Sequence, residues 1–424
     1  MFLKRKTAYS RGKVDKKIKK EYNKVNKNRQ TKGKRTRIME KKLIYFDYAA
    51  TTPVDSEVLE KMLPYYKENY GNADSLHIFG RKAQTAVDCA RDKVAELLGA
   101  KPSEIYFTSG GTESDNWAVL GGAYACKKRG KTHILASQIE HHAVLSAMER
   151  LEKEGFEIEY IPVNAGGRVE ISDVEKRLKE NTGLVAVMKA NNETGAIQPV
   201  EEIAKLCKER GILCFSDCVQ YVPHRNLDVN ALGADVVAIS SHKFHGPKGC
   251  GALYIKKGVG IEKLVAGGEQ ERGMRGGTLN VPAVVGLAHA LELCYKNNQE
   301  REKRIKSLRD KFLDKVLSLD GVTLNGDFSK DEDGLASIIN LRFDGVENTS
   351  FLYNMDLNGI AVASGSACAS ASLKPSHVLT AMGLSESEAK SSIRFSIGKD
   401  TTEEEIEYVA NKCEEILQKI RAKR

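Results

Sequence analysis

No window of this 424-residue chain approaches the about 18 uninterrupted apolar residues of a membrane-spanning helix, so a transmembrane protein is not expected. No internal repeat of roughly 20–50 residues is present, which argues against solenoid and propeller architectures. The nine cysteines include no Cys-x-x-Cys pair and no disulfide-like spacing, and their number is odd. The expectation is a reducing, cytoplasmic compartment. Cys214 and Cys218 have no second Cys or His pair nearby at zinc-finger spacing, so they read as structural thiols. The N-terminal stretch lacks the apolar segment of a secretory signal. It is rich in Lys rather than in Arg and Ser, which argues against a transit peptide.

What is present describes a globular protein, with 41% hydrophobic and 29% charged residues. The length exceeds one small core and makes two domains the default. The net charge of +9 is unevenly spread. Residues 1–38 hold 16 Lys or Arg against Asp15 and Glu21, a net of +14, leaving −5 for residues 39–424. Such a run has almost no apolar periodicity and is expected to be disordered in isolation. It reads either as an arm for nucleic acid or an acidic partner, or as a solvated tail preceding a working start at Met39.

From residue 56 to about 290, β-rich runs alternate with helical stretches. The runs are "EIYFTS" (104–109), "THILAS" (132–137), "FEIEYIPV" (156–163), "LVAVMKA" (184–190), "ILCFSD" (212–217) and "DVVAIS" (235–240). Between them lie stretches such as "VEEIAKLCKERG", closed by Gly211. This pattern predicts an α/β fold with a mostly parallel sheet covered on both faces. A charged helix, "NQEREKRIKSLRDKFLDKVLSL", leads into a smaller α+β region. There "ASIINLRF" and "SSIRFSIG" read as strands, and the closing helix would be capped by Thr401 or Thr402.

In an open α/β sheet, ligands bind at the carboxyl ends of the strands. Five predicted strands end on Gly110-Gly111-Thr112, on Glu140-His141-His142, on Asn191-Asn192-Glu193, on Asp217 with Gln220, and on Ser241-His242-Lys243. The first group, at a helix N-terminus, suits a phosphate. An Asp can pair with a protonated ring nitrogen, and a Lys can form an imine with an aldehyde. Together these point to pyridoxal 5′-phosphate. A zinc site on His242 and His245 would need a third ligand and would leave Lys243 and Asp217 unexplained; no metal is expected.

The residues resemble those of the class V group of fold-type-I pyridoxal phosphate enzymes, and more narrowly the cysteine desulfurases of the NifS/IscS type. The resemblance runs through "YFDYAATTPVD", "TSGGTESDN", "EHHAV", "NNETGAIQPV", "SDCVQ", "SSHKFHGPKG", "ERGMRGGTLNV", "SGSACASAS" and "SSIRFSIG", covering 42–424 in order. It implies a large cofactor-binding domain over 56–298 and a small domain over 299–424. Residues 39–55 would join the small domain, and 1–38 would form a tail outside both. It also implies that Lys243 holds the cofactor, Asp217 pairs with its ring nitrogen and Gln220 with its phenolic oxygen. His141 would stack on the ring and transfer protons, while His142 sits where the family varies. Gly111, Thr112, Ser240 and His242 would bind the phosphate, joined by Thr278 of a second copy in a homodimer. Asn192 and Arg394 would hold the carboxylate of L-cysteine, Arg394 through its fork.

The sulfur must leave to a second nucleophile. "ASGSACASASLKPS" offers Cys368 in a run with no large side chain before Leu373, a segment with little to bury. Attack by its thiolate would leave a persulfide and release alanine, with the sulfur passing to an acceptor such as an iron–sulfur scaffold or a transfer-RNA thiolation protein. Cys89 and Cys413 instead fit burial as small apolar residues. The sequence departs from the family at Ala73 and Asp74, at Pro223 and His224, and at Gly276. Fold does not fix function, so a transaminase or selenocysteine lyase on the same fold stands as the alternative. The third reading, a nucleic-acid-binding or scaffold protein acting through the tail, leaves the strand-end residues without a purpose.

Overall fold

The computed structural model describes residues 43–326, 333–365 and 374–422. Its strands are β1 (Ile44–Tyr45), β2 (Ile105–Thr108), β3 (His133–Ser137), β4 (Glu157–Ile161), β5 (Thr182–Ala186), β6 (Leu213–Asp217), β7 (Val236–Ser240), β8 (Gly251–Ile255), β9 (Val322–Leu324), β10 (Ile338–Phe343), β11 (Ile360–Ala361) and β12 (Ser392–Ser396).

Seven of these form one sheet in the order β2-β8-β7-β6-β5-β3-β4. Only β8 runs against its neighbours; the others point the same way. Every residue of β3, β5, β6 and β7 is buried, as a sheet covered on both faces requires. Consecutive side chains point to opposite faces of a strand, and the core divides accordingly. Val185, Val237 and Ile239 pack with the helices Ile78–Leu98, Val200–Glu209 and Val281–Lys296. Leu184, Val236 and Ala238 pack on the other face with Trp117, Leu120, Val144 and Met148.

The sequence reading differs from the structure in several places; besides the short strands β1, β9 and β11, which were not anticipated, three bear on the site and the core. β8, "GALYI", was not anticipated: it is a short return strand that opens on a glycine. β5 lies earlier than expected and ends at Ala186, although Val187 and Lys189 still donate backbone hydrogen bonds to Phe215 and Asp217. Cys89 is exposed rather than buried. Its helix turns Val87, Ala90, Val94 and Leu98 toward the sheet, and the 3.6-residue period carries position 89 to the other side. Cys413 is buried, as expected.

A second, antiparallel sheet has the order β12-β10-β9. The helices Asn298–Val316 and Glu403–Arg421 cover it, around Phe312, Leu341, Phe343, Phe395, Val409 and Ile416. Ile44 and Phe46 enter the same core, and β1 pairs in parallel with β11. The last helix starts on a capping box: Thr402 accepts from the Glu405 N–H at 3.2 Å, and Glu405 accepts from the Thr402 N–H at 3.2 Å. Ile44–Arg424 cluster into one compact unit. Among the described residues, no helix is long and apolar enough to cross a membrane.

Candidate active site

Because β2, β3, β5, β6 and β7 are codirectional, their carboxyl ends share one edge, and there the chain leaves a cavity of about 200 Å³. Gly111, Thr112, His141, Asn192, Asp217, Gln220, Ser240, His242, Lys243 and Arg394 all line it. These are ten of the twelve residues singled out in the sequence. Thr278 does not line it and is exposed on the same chain. Cys368 lies outside the described residues, and so do residues 1–38.

β2 runs into Gly110, whose φ of +144° favours glycine. A continuous helical run over 111–127 follows. No side chain caps this run at Gly110, so its first N–H groups are left for a ligand. Gly111 is equally confined: a β-carbon there would stand 3.1 Å from Val219 Cγ2. β7 delivers Ser240, whose buried Oγ finds no hydrogen-bond partner among the described residues. His242 follows, its Nδ1 lying 3.1 Å from the Thr51 hydroxyl. Burial and the Lys243 charge push its imidazole down to about 4. His245 instead places its Nδ1 3.1 Å from the Pro53 carbonyl oxygen, so the two histidines do not share a partner.

The Lys243 ammonium donates to the carbonyls of Ala49 and Ala50 at 2.6 and 2.9 Å. Asp217 ends β6. Its Oδ1 accepts the Val219 N–H at 2.8 Å, while burial raises its carboxyl to about 6. His141 caps the helix His142–Lys153, its Nδ1 accepting the Ala143 N–H at 3.1 Å. That contact assigns the ring proton to Nε2. Burial, followed by the charges of Lys243, His142 and His377, lowers the ring to about 4. His141 is therefore a neutral imidazole at neutral pH.

Arg394 is fully buried in the middle of β12. Its Nη1 donates to the Asn192 carbonyl at 2.8 Å and its Nη2 to Asp47 at 2.7 Å. Its Nε finds no partner among the described residues. A guanidinium has five N–H donors, so donors remain for a carboxylate.

Sequence reasoning gave no role to three acids, one of which, Glu140, it had placed at a strand end. Asp47 pairs with Arg394. Asp115 lines the cavity, one helical turn from Gly111, and its Oδ1 has no partner among the described residues. Its carboxyl is held well above the usual range, first by burial and then by Asp217 and Glu140. Glu140 accepts from Ser137 Oγ at 2.6 Å and from the Met188 N–H at 2.7 Å, and burial raises it to about 8. The sequence shows these residues, but not that Asp115 and Glu140 are buried.

Both flanks of the segment that carries Cys368 meet Glu193, which directly follows Asn192. A β-carbon on Gly365 would lie 3.1 Å from the Glu193 carboxylate, and Ser376 donates to it at 2.5 Å. His377 approaches the Glu140 carbonyl at 3.0 Å and the His142 ring at 4.8 Å between centroids.

The family departures are absorbed locally. Ala73 is buried, and Asp74 accepts from Gln270 at 2.6 Å. His224 meets the Ser337 hydroxyl at 3.0 Å. Gly276 lies so close to Gly267 that a β-carbon would stand 2.5 Å from the Gly267 Cα. In this chain a serine there would collide with backbone.

The residues fit pyridoxal phosphate. An unpartnered buried hydroxyl and a glycine turn with free N–H groups suit its phosphate, a buried carboxyl suits its ring nitrogen, and an amine stands in the same cavity.

The sequence matches the model of the class-V aminotransferase family over residues 44–409. It is 47% identical over 382 residues to a protein of Clostridium botulinum named cysteine desulfurase IscS, covering 89% of this chain and 94% of that protein. Among solved structures, a NifS-like protein superposes with a TM-score of 0.83 at 40% identity, covering 89% of this chain and 99% of the other. A structure described as SspA in complex with cysteine superposes with a TM-score of 0.73 at 35% identity, covering 85% and 100%.

Proposed function

Since the chain belongs to the class-V aminotransferase family, we propose that it is a pyridoxal-phosphate-dependent cysteine desulfurase. It takes L-cysteine to L-alanine and leaves the sulfur as a persulfide on Cys368, for transfer to an acceptor protein of iron–sulfur cluster assembly or transfer-RNA thiolation. The observation that carries this reading is the convergence of Lys243, Asp217, His141, Thr112 and Arg394 on one cavity. Identity near one half to a relative named cysteine desulfurase supports the substrate, as does the neighbour solved with cysteine.

When bound, pyridoxal phosphate supplies an aldehyde for imine formation and a protonated ring that draws electrons from the substrate Cα. The chain's residues do the rest. Asp217, as carboxylate, would keep a proton on the ring nitrogen, and Gln220 would hold the phenolic oxygen. Neutral His141, with its proton on Nε2, would lie against the ring and could pass a proton from that atom. Gly111, Thr112, Ser240 and His242 would hold the phosphate. Arg394 and Asn192 orient the substrate carboxylate with the donors that Asp47 leaves unused. Lys243, whose ammonium stands in the cavity, would hold the cofactor and serve as the base for the substrate Cα proton. The Cys368 thiolate then attacks the substrate sulfur. The new S–S bond forms as the C–S bond breaks, the electron pair returns to carbon, and protonation gives alanine.

The working assembly is a homodimer in which Thr278 of each copy completes the phosphate site of the other. The exposure of Thr278 outside its own chain's cavity supports this. So do the large apolar side chains of Leu59, Leu63, Tyr66, Tyr70, Leu76, Ile78 and Phe79, all 45–91% exposed. The division at about 298 into a large and a small domain, with 39–55 joining the small one, is part of the same reading, as are a cytoplasmic location and a basic tail over 1–38 that contributes no catalytic group. The test compares wild type with Cys368→Ala on L-cysteine. Equal sulfide and alanine are expected from wild type under reductant, and a change of visible absorbance without turnover from the variant. A variant as fast as wild type would replace the persulfide route by a lyase or transaminase.

A further inference from the structure

The segment 267–278 ends on Thr278 and is fastened to the large sheet at two places. Glu271 is buried; it accepts from Arg91 Nη1 and Nη2 at 2.8 and 2.6 Å and from the Phe107 N–H at 2.9 Å. Arg272 donates to the Ile105 carbonyl at 2.8 Å and lies 4.1 Å above the Tyr106 ring. Both residues have left-handed backbones, with φ of 47° and 59°. Non-glycine residues hold such conformations where surrounding contacts over-determine them, and these cluster at functional sites.

The second fastening is more specific. Arg275 Nε and Nη2 donate to Glu113 Oε1 and Oε2 at 2.7 and 2.9 Å, a bidentate pair with side chains 19% and 12% exposed. Glu113 directly follows Thr112, and its Oε2 also accepts the Ser109 N–H at 2.9 Å. One end of the pair thus grips both sides of the phosphate turn, and the other stands three residues before Thr278. Neither Glu113 nor Arg275 lines the cavity, so neither touches what binds there.

We infer that the Glu113–Arg275 ion pair is a positioning device for the cofactor phosphate, holding the Thr112 turn and the Thr278 segment in fixed relation. This rests on the reading that Thr278 serves the phosphate of a second copy. It deepens that reading, because the pair then ties the phosphate turn of one cavity to the residue that completes the other. A planar fork against a carboxylate fixes direction as well as distance, which a lone backbone contact would not.

The experiment measures the dissociation constant of pyridoxal phosphate by visible absorbance, together with the ³¹P resonance of the bound cofactor, on the full chain. Glu113→Gln keeps an acceptor for Ser109 and removes only the charge; Arg275→Gln removes the fork. Each is expected to weaken binding about tenfold and to move the ³¹P resonance, with Thr278→Ala similar. Arg275→Gln combined with Thr278→Ala is expected to be no more than about twofold worse than Thr278→Ala alone, because coupled groups are not additive. Arg275→Lys keeps the charge but not the fork, and should recover only part of the affinity lost in Arg275→Gln. Where a single variant melts well below wild type without cofactor, the combination with Thr278→Ala decides, since additivity there overturns the inference. Unchanged affinity in both single variants, or full additivity with Thr278→Ala, also overturns it. If Thr278→Ala itself binds cofactor as wild type does, the reading of Thr278 in a second copy fails, and the inference fails with it.

Discussion

Asp217 shows at the scale of one residue how function is set against stability. Its carboxyl is raised to about 6 because burial penalises the charged form, with the Val219 N–H and then Lys243 acting in the opposite sense. A carboxyl raised on folding contributes stability that is complete below its unfolded value of about 4 and is lost as pH rises through about 6. Above that, the ionised group costs the cofactor-free protein up to about 3 kcal/mol. Asp217→Asn removes the cost together with the partner of the ring nitrogen. Thermal melting of the cofactor-free protein should show the variant more stable than wild type at pH 8, with a smaller gain at pH 5. Turnover should fall more than about hundredfold. An equal gain at both pH values would place the origin elsewhere. The identity of Asp217 was legible because an acid directly follows "ILCFS". The burial that tunes it was not, since it depends on the strands on either side. Cys89 makes the same point in reverse: an apolar-looking position proved exposed because helix phase, not residue type, decides what a side chain faces.

At the scale of elements, the hydrophobic runs placed β2, β3, β4, β6 and β7 within a residue or two. Strand β8 escaped because it opens on a glycine and lies antiparallel at the return from the lysine turn, without the alternation with helices that announces its neighbours. The last helix was legible down to its cap. Thr402 and Glu405 close a reciprocal pair of hydrogen bonds, and such a cap contributes about 1 kcal/mol. Thr402→Ala should therefore lose that much unfolding free energy, seen as a lower denaturant midpoint with the m-value and the visible spectrum unchanged, because the helix lies on the small sheet and not on the cavity. Any change of spectrum would show that this helix sets the position of Arg394 on β12.

For the whole molecule, the face carrying Leu63, Tyr66, Tyr70, Ile78 and Phe79 should be covered by a second copy. The Tyr70 and Phe79 rings already stack at 5.9 Å, and Asp74 joins their loop to Gln270, in the segment that ends at Thr278. Leu63→Glu with Tyr70→Glu should shift sedimentation from dimer toward monomer and weaken cofactor retention in parallel. A monomeric wild type would instead leave Thr278 without a site. Sequence alone determined the alternation of most strands and helices of the large sheet, the side chains at the strand ends and the chemistry those side chains allow. Periodicity, glycine turns and residue type are local properties written in the chain. Only the tertiary structure decided that ten of those side chains meet in one cavity, that Arg394 is shared with Asp47, and that Asp115 and Glu140 are buried beside Asp217. Each of these depends on which strands become neighbours, and long-range packing, which no local pattern encodes, settles that.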